Sequence, residues 1–312
     1  MSVILMFLTN LYRLLSLCAM LAASSLYSGI NIVLNFGSTS TEDIARYGAT
    51  FTAAESFWES KLTGYRNTGF NAPTQVLINI DLSTIDGAGG VLGSAGPTFG
   101  NFGGSFIETT EGNMTFDTAD IDNLVTAGSF GDVIQHEMAH VLGFGTLWGL
   151  NGTYVSDTGQ YMSAAALAAF QIEFNQPSAT FVPVELDGGS GTANGHWNMG
   201  IDLGINEQAD SRDDPGDAII YTSVNNGLRL DDELMTGYLT GEAWLSNTSL
   251  QSFYDIGYLV ALDIYGQPVP EPVTFALIFG FGAIFVVFRR RGLKRVGSRA
   301  KNGASHSRGA AC

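Results

Sequence analysis

Five consecutive residues from His136 to His140, which read His-Glu-Met-Ala-His, carry the most specific chemistry in the chain. On a helix the two histidines fall four positions apart on one face, where both imidazoles can bind the same ion. Neutral imidazole suits zinc, which in catalytic sites keeps three protein ligands and one position for water. Glu137 is placed to act on that zinc-bound water. The motif therefore predicts a catalytic zinc site, the alternative being a chance occurrence of a short pattern.

The residues on either side of the motif predict that it lies on a helix. An apolar stripe recurs at helical spacing and indicates a face turned to the core: Ile134, Met138, Val141 and Leu142. Ser129 or Asp132 is positioned to cap the start of this helix, and Gly143 is positioned to end it in a left-handed conformation.

The third zinc ligand must come from elsewhere, and the chain has only four histidines. In the compact pattern H-E-x-x-H-x-x-G-x-x-H the third histidine would stand at position 146, which is Thr146 here. His306 lies in a basic tail behind an apolar segment. By elimination the prediction is His196, at the end of a glycine-rich run that begins at Gly188. The alternative is an ordinary loop histidine beside a packed Trp197.

Taken together, these motifs resemble those of the leishmanolysin-like metzincin metallopeptidases. The likeness rests on three segments in order: His136 to Gly145, then His196-Trp197 after a long insertion, then Glu233 to Gly237. It covers about residues 51 to 265. The resemblance implies a metzincin-like zincin catalytic domain with an active-site helix, a mixed sheet and a Met-turn. It also implies that Met235 forms that Met-turn beneath the zinc ligands, and that Glu137 is the general base and acid.

The chain departs from that family in its cysteines and in an acidic stretch. Eukaryotic members are rich in disulfides, whereas this chain has only Cys18 and Cys312, so its domain must be stabilised by the core alone. The stretch from Asp210 to Asp217 places several carboxylates around a glycine. We interpret it as a solvated acidic loop, with a Ca²⁺ site as the alternative.

Both ends of the chain predict export. Residues 1–28 are mostly apolar, and within them the small residues Ala22, Ala23, Ser24, Ser25 and Ser28 follow the apolar core, which is typical of a secretory signal peptide. Arg13 is the only early positive charge, which leaves the true start codon open. Lipoprotein processing at Cys18 is the alternative, and Leu17 before it disfavours that. Near the other end, Pro270-Glu271-Pro272 precedes 16 uncharged residues and then three arginines.

That second pattern resembles the PEP-CTERM sorting signal. The resemblance implies recognition by an exosortase-type processing enzyme and delivery to the cell surface or medium of a Gram-negative bacterium, by way of Sec export and the inner membrane. The apolar segment would lie in the membrane before processing, with the arginines in the cytoplasm. As a helix it spans about 24 Å, short of the hydrocarbon core of about 30 Å. A plain membrane anchor is the alternative.

The sequence thus divides into a signal peptide (1–28), a metallopeptidase catalytic domain (29–267), a sorting signal (268–291) and a basic tail (292–312). All 30 acidic residues lie at or before Glu271, and eight of the 14 Lys and Arg residues lie from Arg289 onward. The predicted catalytic domain is therefore strongly acidic, which disfavours nucleic acid and anionic lipid as partners.

Hydrophobic spacing predicts an α+β fold for that domain. Phe51 to Lys61 is predicted to be helical and Gln75 to Leu82 to be a strand. The glycine-rich stretch from Asp86 to Gly104 is predicted to form loops between short strands, at an edge where a peptide adds as a further strand. Ser163 to Phe174 and Ser249 to Leu262 are predicted helices.

The sequence therefore predicts a secreted or surface zinc endopeptidase that hydrolyses peptide bonds of protein substrates by Glu-assisted attack of zinc-bound water. Tyr238 is a candidate to stabilise the oxyanion, or else a core residue. A non-catalytic surface or extracellular-matrix protein with a structural zinc site is the alternative function, and the intact Glu137 argues against it. A membrane-resident protease would differ only in keeping its C-terminal segment.

Overall fold

The computed structural model describes residues 29–37, 39–67, 72–198, 221–238 and 243–269. The predicted signal peptide, the acidic stretch 210–217, the sorting signal from Pro270 onward and the basic tail with His306 lie outside the described residues. All described residues belong to one unit, Ser28–Val269. Within these ranges no helix combines the length and the apolar character needed to cross a membrane.

The described residues form a mixed α+β fold. Its strands are β1 (Ile32–Asn35), β2 (Leu62–Tyr65), β3 (Val76–Ser83), β4 (Gly93–Asn101), β5 (Glu108–Asp117), β6 (Gln160–Tyr161), β7 (Val182–Pro183) and β8 (Tyr258–Val260). Its helices are α1 (Thr41–Lys61), α2 (Ile121–Ala127), α3 (Phe130–Leu142), α4 (Ala164–Glu173) and α5 (Asn247–Asp255). The predicted fold class, α+β with a mixed sheet, is confirmed at this level.

The main sheet has four strands in the order β1-β3-β5-β4. The first three are parallel, and β4 runs antiparallel to β5 at one edge. Buried residues alternate along β3, at Val76, Ile78 and Ile80, and this two-residue period is what predicted the strand. The sheet therefore has one buried face, on which the helices pack.

Helices α1 and α3 pack against each other, with α1 also contacting β1 and α3 contacting β4 and β5. Edge-to-face aromatic contacts join the layers, since Phe51 of α1 lies 5.4 Å from Phe116 of β5 and 5.9 Å from Phe130 of α3, between ring centroids. The prediction placed the start of α1 ten residues too late. The helix begins at Thr41 because Ser40 accepts the N–H of Asp43 at 3.0 Å and caps it.

The stretch predicted as loops between short strands contains one nine-residue strand, β4. Gly93, Gly96, Pro97 and Gly100 are poor strand formers, so the sequence pattern missed it. An edge strand tolerates them because one side of its backbone needs no partner strand, and the register shifts on either side of Phe99.

The loop before β4 is held by the Asp117 carboxylate at the end of β5. Its Oδ2 accepts the N–H groups of Ile85, Asp86 and Gly87 at 2.8–3.0 Å, and its Oδ1 accepts that of Ala119 at 2.8 Å. These backbone hydrogen bonds lower the pKa of Asp117 to about 2. The start of β4 is thereby fixed relative to the sheet.

Helices α4 and α5 cap each other. Glu173, the last residue of α4, accepts the N–H groups of Asn247 and Thr248 at the start of α5 at 3.0 and 2.9 Å. Asp255, the last residue of α5, accepts those of Ala165 and Ala166 at the start of α4 at 3.1 and 3.0 Å. The two helices are therefore antiparallel, and each carboxylate lies at the positive end of the other helix.

The prediction of a helix from Ser249 to Leu262 is wrong in its second half. Helix α5 ends at Asp255, and Gly257 follows with a φ of +113°, a conformation that favours glycine. Tyr258–Val260 then forms β8, which pairs antiparallel with β2. The apolar run after Asp255 has both strand and helix propensity, and the turn at Gly257 decides between them.

Candidate metal centre

The motif residues lie on α3. Its apolar stripe is buried as predicted, with Ile134, Met138, Val141 and Leu142 all 0% exposed. Ser129 is the residue before the helix, but its side chain makes no capping hydrogen bond. Gly143 ends the helix with a φ of +116°. The burial of one face fixes the rotation of α3 about its axis, and so presents His136 and His140 together to one side.

The end of α3 is held by hydroxyl groups from three other parts of the chain. Thr109 of β5 donates to the Val141 carbonyl at 2.7 Å, and Tyr258 of β8 donates to that of Leu142 at 2.8 Å. Thr146 donates to the His140 carbonyl at 2.7 Å. Thr146 thus occupies the place of the histidine in the compact pattern and serves as a helix cap, as the carbonyls at a helix end require partners.

His196 lies close to α3 because the backbones of Gly145 and Gly195 approach each other closely. Gly145 has a φ of +69°, and a methyl group added to it would lie 2.4 Å from the Gly195 carbonyl oxygen. On the far side, the N–H of Trp197 donates to the Met235 carbonyl at 3.1 Å. The Trp197 side chain is fully buried and stacks on Trp148 with ring centroids 4.9 Å apart. The loop carrying His196 is therefore held from both ends.

The three predicted ligands come together. The Nε2 atoms of His136, His140 and His196 lie 2.9–3.1 Å from one another. Among the described residues they are the one group of three metal-binding side chains whose ligand atoms lie within 4.8 Å of one another. Three histidines from helix α3 and a distant loop are thus close enough to bind one metal ion.

The opposite ring nitrogens fix the tautomer of each imidazole. Nδ1 of His136 lies 2.6 Å from the Leu234 carbonyl, that of His140 lies 3.0 Å from the Phe144 carbonyl, and that of His196 lies 2.8 Å from the Thr192 carbonyl. A carbonyl oxygen only accepts, so each Nδ1 carries the hydrogen and donates it. Each neutral ring then presents an Nε2 lone pair toward the other two.

This arrangement fits a metal ion. Three lone pairs without a hydrogen between them repel one another, and a cation at their centre removes that repulsion. Nitrogens in a tetrahedral zinc site, about 2.0–2.1 Å from the ion, lie about 3.3 Å apart. The observed separations of 2.9–3.1 Å are within a few tenths of an ångström of this value. The Nδ1–carbonyl bonds are the outer partners that metal-binding histidines require.

Burial keeps the three imidazoles neutral, which is the form that binds a metal. Desolvation lowers the pKa of His136 and lowers that of His140 well below its usual value. Desolvation and the neighbouring His136 lower the pKa of His196 to about 3. These rings therefore do not protonate at neutral pH, although ordinary histidine does so near pH 6.5.

Glu137 lies beside the histidines in a cleft of about 720 Å³. The cleft is lined by β4 on one side and by the His196 loop and the segment around Met235 on the other. Glu137 is 6% exposed, and desolvation raises its pKa to about 8. A cation bound by the adjacent imidazoles would act in the opposite sense and favour the carboxylate.

The segment after Glu233 supports the site from below. Met235 is fully buried, and the Leu234 carbonyl before it is the partner of His136. Tyr238 lines the cleft and is 37% exposed, so it is not a core residue. Burial, Glu185 and Asp187 raise its pKa.

Three site features were missed by the sequence reasoning: the Gly145–Gly195 approach, the cap by Thr146 and the hydrogen bonds of Glu233. Glu233 stood within the quoted motif, yet nothing in the pattern indicated that its side chain is buried. The approach of two distant backbones leaves no local signal.

No protein-family model matches the chain, and no curated protein matches it.

Proposed function

We propose that this chain is a secreted or surface zinc-dependent endopeptidase. His136, His140 and His196 are the zinc ligands and Glu137 is the general base. The proposal is carried by one observation: three neutral imidazoles turn their free nitrogens to one point, beside a buried carboxylate, in a cleft open to solvent. A structural site would need neither the carboxylate nor the opening.

The donor set favours zinc. Three neutral nitrogens with no carboxylate among them match the ligands of catalytic zinc sites that keep a fourth position for water or substrate. When bound, zinc would supply a Lewis acid that polarises the scissile carbonyl and lowers the pKa of water. The fixed Nδ1 donors keep the three rings oriented before the ion arrives.

Glu137 performs the proton transfers. It accepts a proton as a water oxygen forms its bond to the scissile carbonyl carbon, and it delivers that proton to the nitrogen as the C–N bond breaks. The leaving group is then a neutral amine. Burial supports this role because it holds the carboxylate against the reacting atoms and away from bulk water.

The substrate is a peptide in extended form. Gly93, Ser94 and Ala95 of β4 line the cleft, and β4 is an edge of the sheet. The backbone groups on its outer side suit a peptide that adds as a further strand. Met235 as a Met-turn, Tyr238 as an oxyanion donor, and exosortase-type processing of the C-terminal segment belong to the same proposal.

The test uses purified protein, casein hydrolysis and metal analysis. Glu137→Gln is expected to retain zinc and to lower kcat/KM about 10²–10⁴-fold, because it removes the proton acceptor. His196→Ala is expected to lose both zinc and activity. Glu173→Gln, a buried carboxylate between α4 and α5, is the control and should retain both.

A Glu137→Gln protein that hydrolyses casein at the wild-type rate would contradict the assignment of the base. Wild-type protein that binds zinc yet hydrolyses neither casein nor gelatin would support the non-catalytic alternative. Activity that a chelator does not remove would exclude a metallopeptidase.

A further inference from the structure

Glu233 is a buried carboxylate that lines the cleft of the candidate metal centre and is not one of the three ligands. It is 2% exposed. Its Oε2 accepts the N–H of Met235 at 2.6 Å. Its Oε1 accepts the N–H and the hydroxyl of Ser246, both at 2.9 Å, and the hydroxyl of Ser249 at 2.6 Å. Four donors therefore converge on one side chain.

The direction of each hydrogen bond is fixed by the bond behind it. The Ser249 hydroxyl accepts from Trp197 Nε1 at 2.7 Å, so its own hydrogen points to Glu233. The Ser246 oxygen accepts the N–H of Ser249 at 2.9 Å, so its hydrogen points there as well. With these four neighbours donating, an ionised Glu233 accepts at both oxygens and leaves no donor unpaired.

These bonds connect Glu233 to the residues that position two of the ligands, His136 and His196. On one side Glu233 fixes Met235, next to the Leu234 carbonyl that receives the Nδ1 hydrogen of His136. On the other side it fixes Ser249, whose hydroxyl holds the indole of Trp197, the residue after His196. The Trp197 N–H also donates to the Met235 carbonyl at 3.1 Å, which closes the network.

We propose that Glu233 is a positioning residue of the metal centre. Its carboxylate sets the orientation of His136 through Leu234 and the position of His196 through Ser249 and Trp197. The inference rests on the proposed metal centre. It goes further by assigning metal affinity to a side chain that is not a ligand.

The test replaces one oxygen by an amide group. In Glu233→Gln the NH₂ faces donors whichever way the amide is turned, so at least one bond is lost. Zinc affinity is measured by competition with a chromophoric chelator at pH 8, and geometry by the visible spectrum of the Co²⁺-substituted protein. We expect a zinc Kd about 10–100-fold weaker than wild type, the range for outer partners of metal ligands, and a changed Co²⁺ spectrum.

Two matched controls separate positioning from general stability. Glu173→Gln alters another buried carboxylate that accepts N–H groups at the start of α5, and it should leave the zinc Kd and the Co²⁺ spectrum unchanged. Should Glu233→Gln fail to fold, Ser249→Ala carries the test, with Ser252→Ala on the same helix as its control. Ser252 is fully buried, and its hydroxyl donates to the Ser249 carbonyl and not to Glu233.

A wild-type zinc Kd and Co²⁺ spectrum in Glu233→Gln would overturn the inference, as would an equal loss in Glu173→Gln. For the serine pair, a wild-type zinc Kd in Ser249→Ala would overturn it too. If the wild-type protein itself binds neither zinc nor Co²⁺, the proposed function fails instead, so the two failures are distinguishable.

Discussion

Gly93 lies where any larger residue would press on the Glu137 carboxylate. A methyl group added to Gly93 would be 2.8 Å from Glu137 Oε1 and 3.0 Å from its Cδ. These separations are shorter than van der Waals contact, so one of the two residues must move. Gly93 therefore serves the site by its lack of a side chain, which lets the edge strand come close to the proposed general base.

We expect Gly93→Ala to lower kcat/KM about 100-fold while zinc content stays at the wild-type level, because the displaced group is the base and not a ligand. Gly96→Ala on the same strand is the control, since its methyl group would be 3.9 Å from its nearest neighbour, Thr146. Casein turnover and metal analysis of both variants check this. Equal activity of the two variants would show that Glu137 can shift without consequence.

At the scale of elements, the site depends on how the His196 loop docks against the end of α3. The contact between Gly145 and Gly195 leaves no room for a Cβ atom. Gly152 offers a matched comparison because its φ is also +69°, yet an added methyl group would meet nothing within 4 Å.

Alanine at either position should destabilise the fold by about 1–2 kcal/mol through its left-handed conformation. Gly145→Ala should cost more than this, because its methyl group also collides with the Gly195 backbone. Only Gly145→Ala should also weaken zinc binding, since it alone pushes the His196 loop away from α3. Urea unfolding and chelator competition on both variants measure the two effects separately. The same zinc Kd in both variants would mean that the loop is positioned by other contacts, such as those of Trp197.

Elements whose signal is local could be predicted from the sequence. Helix α3 shows its apolar stripe and its final glycine, and β3 shows its alternation. The course of Gly93–Asn101 could not be predicted, because β4 exists through pairing with β5 and its own residues disfavour a strand. The end of α5 was missed for a related reason, as Tyr258–Val260 is a strand only where β2 pairs with it.

The ligands of the candidate site could likewise be predicted from the sequence, but the contacts that position them could not. The scarcity of histidine pointed to His196, and the structure brings it to the other two. The contacts that make this possible join residues far apart in the chain, and they leave no periodic pattern. The Nδ1 partners are backbone carbonyls, which any residue could provide, so their positions follow only from the fold.

At the scale of the whole molecule, buried ionisable groups make stability depend on pH. Desolvation raises the pKa of Glu108 to about 7, against an ordinary value of 4.5, and Glu233 is raised to about 7 as well. Between pH 4.5 and 7 the folded state holds these protons more tightly than the unfolded chain. Their contribution to stability therefore falls as pH rises through this window. The three histidines, whose pKa values are lowered, act in the opposite sense.

Comparing the pH dependence of stability in wild type and in Glu108→Gln isolates the contribution of Glu108. Glu108→Gln removes its titration and leaves the histidines unchanged, so the variant should gain stability relative to wild type as pH rises from 5 to 8. Urea unfolding of both proteins across that range, with chelator present, gives the difference. A difference that is constant with pH would show that Glu108 is not protonated in the folded state near neutral pH.

The mutual capping of α4 and α5 offers a place to split the polypeptide into two fragments that bind each other. Glu173 at the end of α4 accepts N–H groups at the start of α5, and Asp255 at the end of α5 accepts those at the start of α4. A fragment that stops after Phe174 leaves α4 without the carboxylate that starts it, and the remaining fragment lacks the one that starts α5. Each half would hold the carboxylate that the other lacks, so two fragments divided just after Phe174 should bind each other.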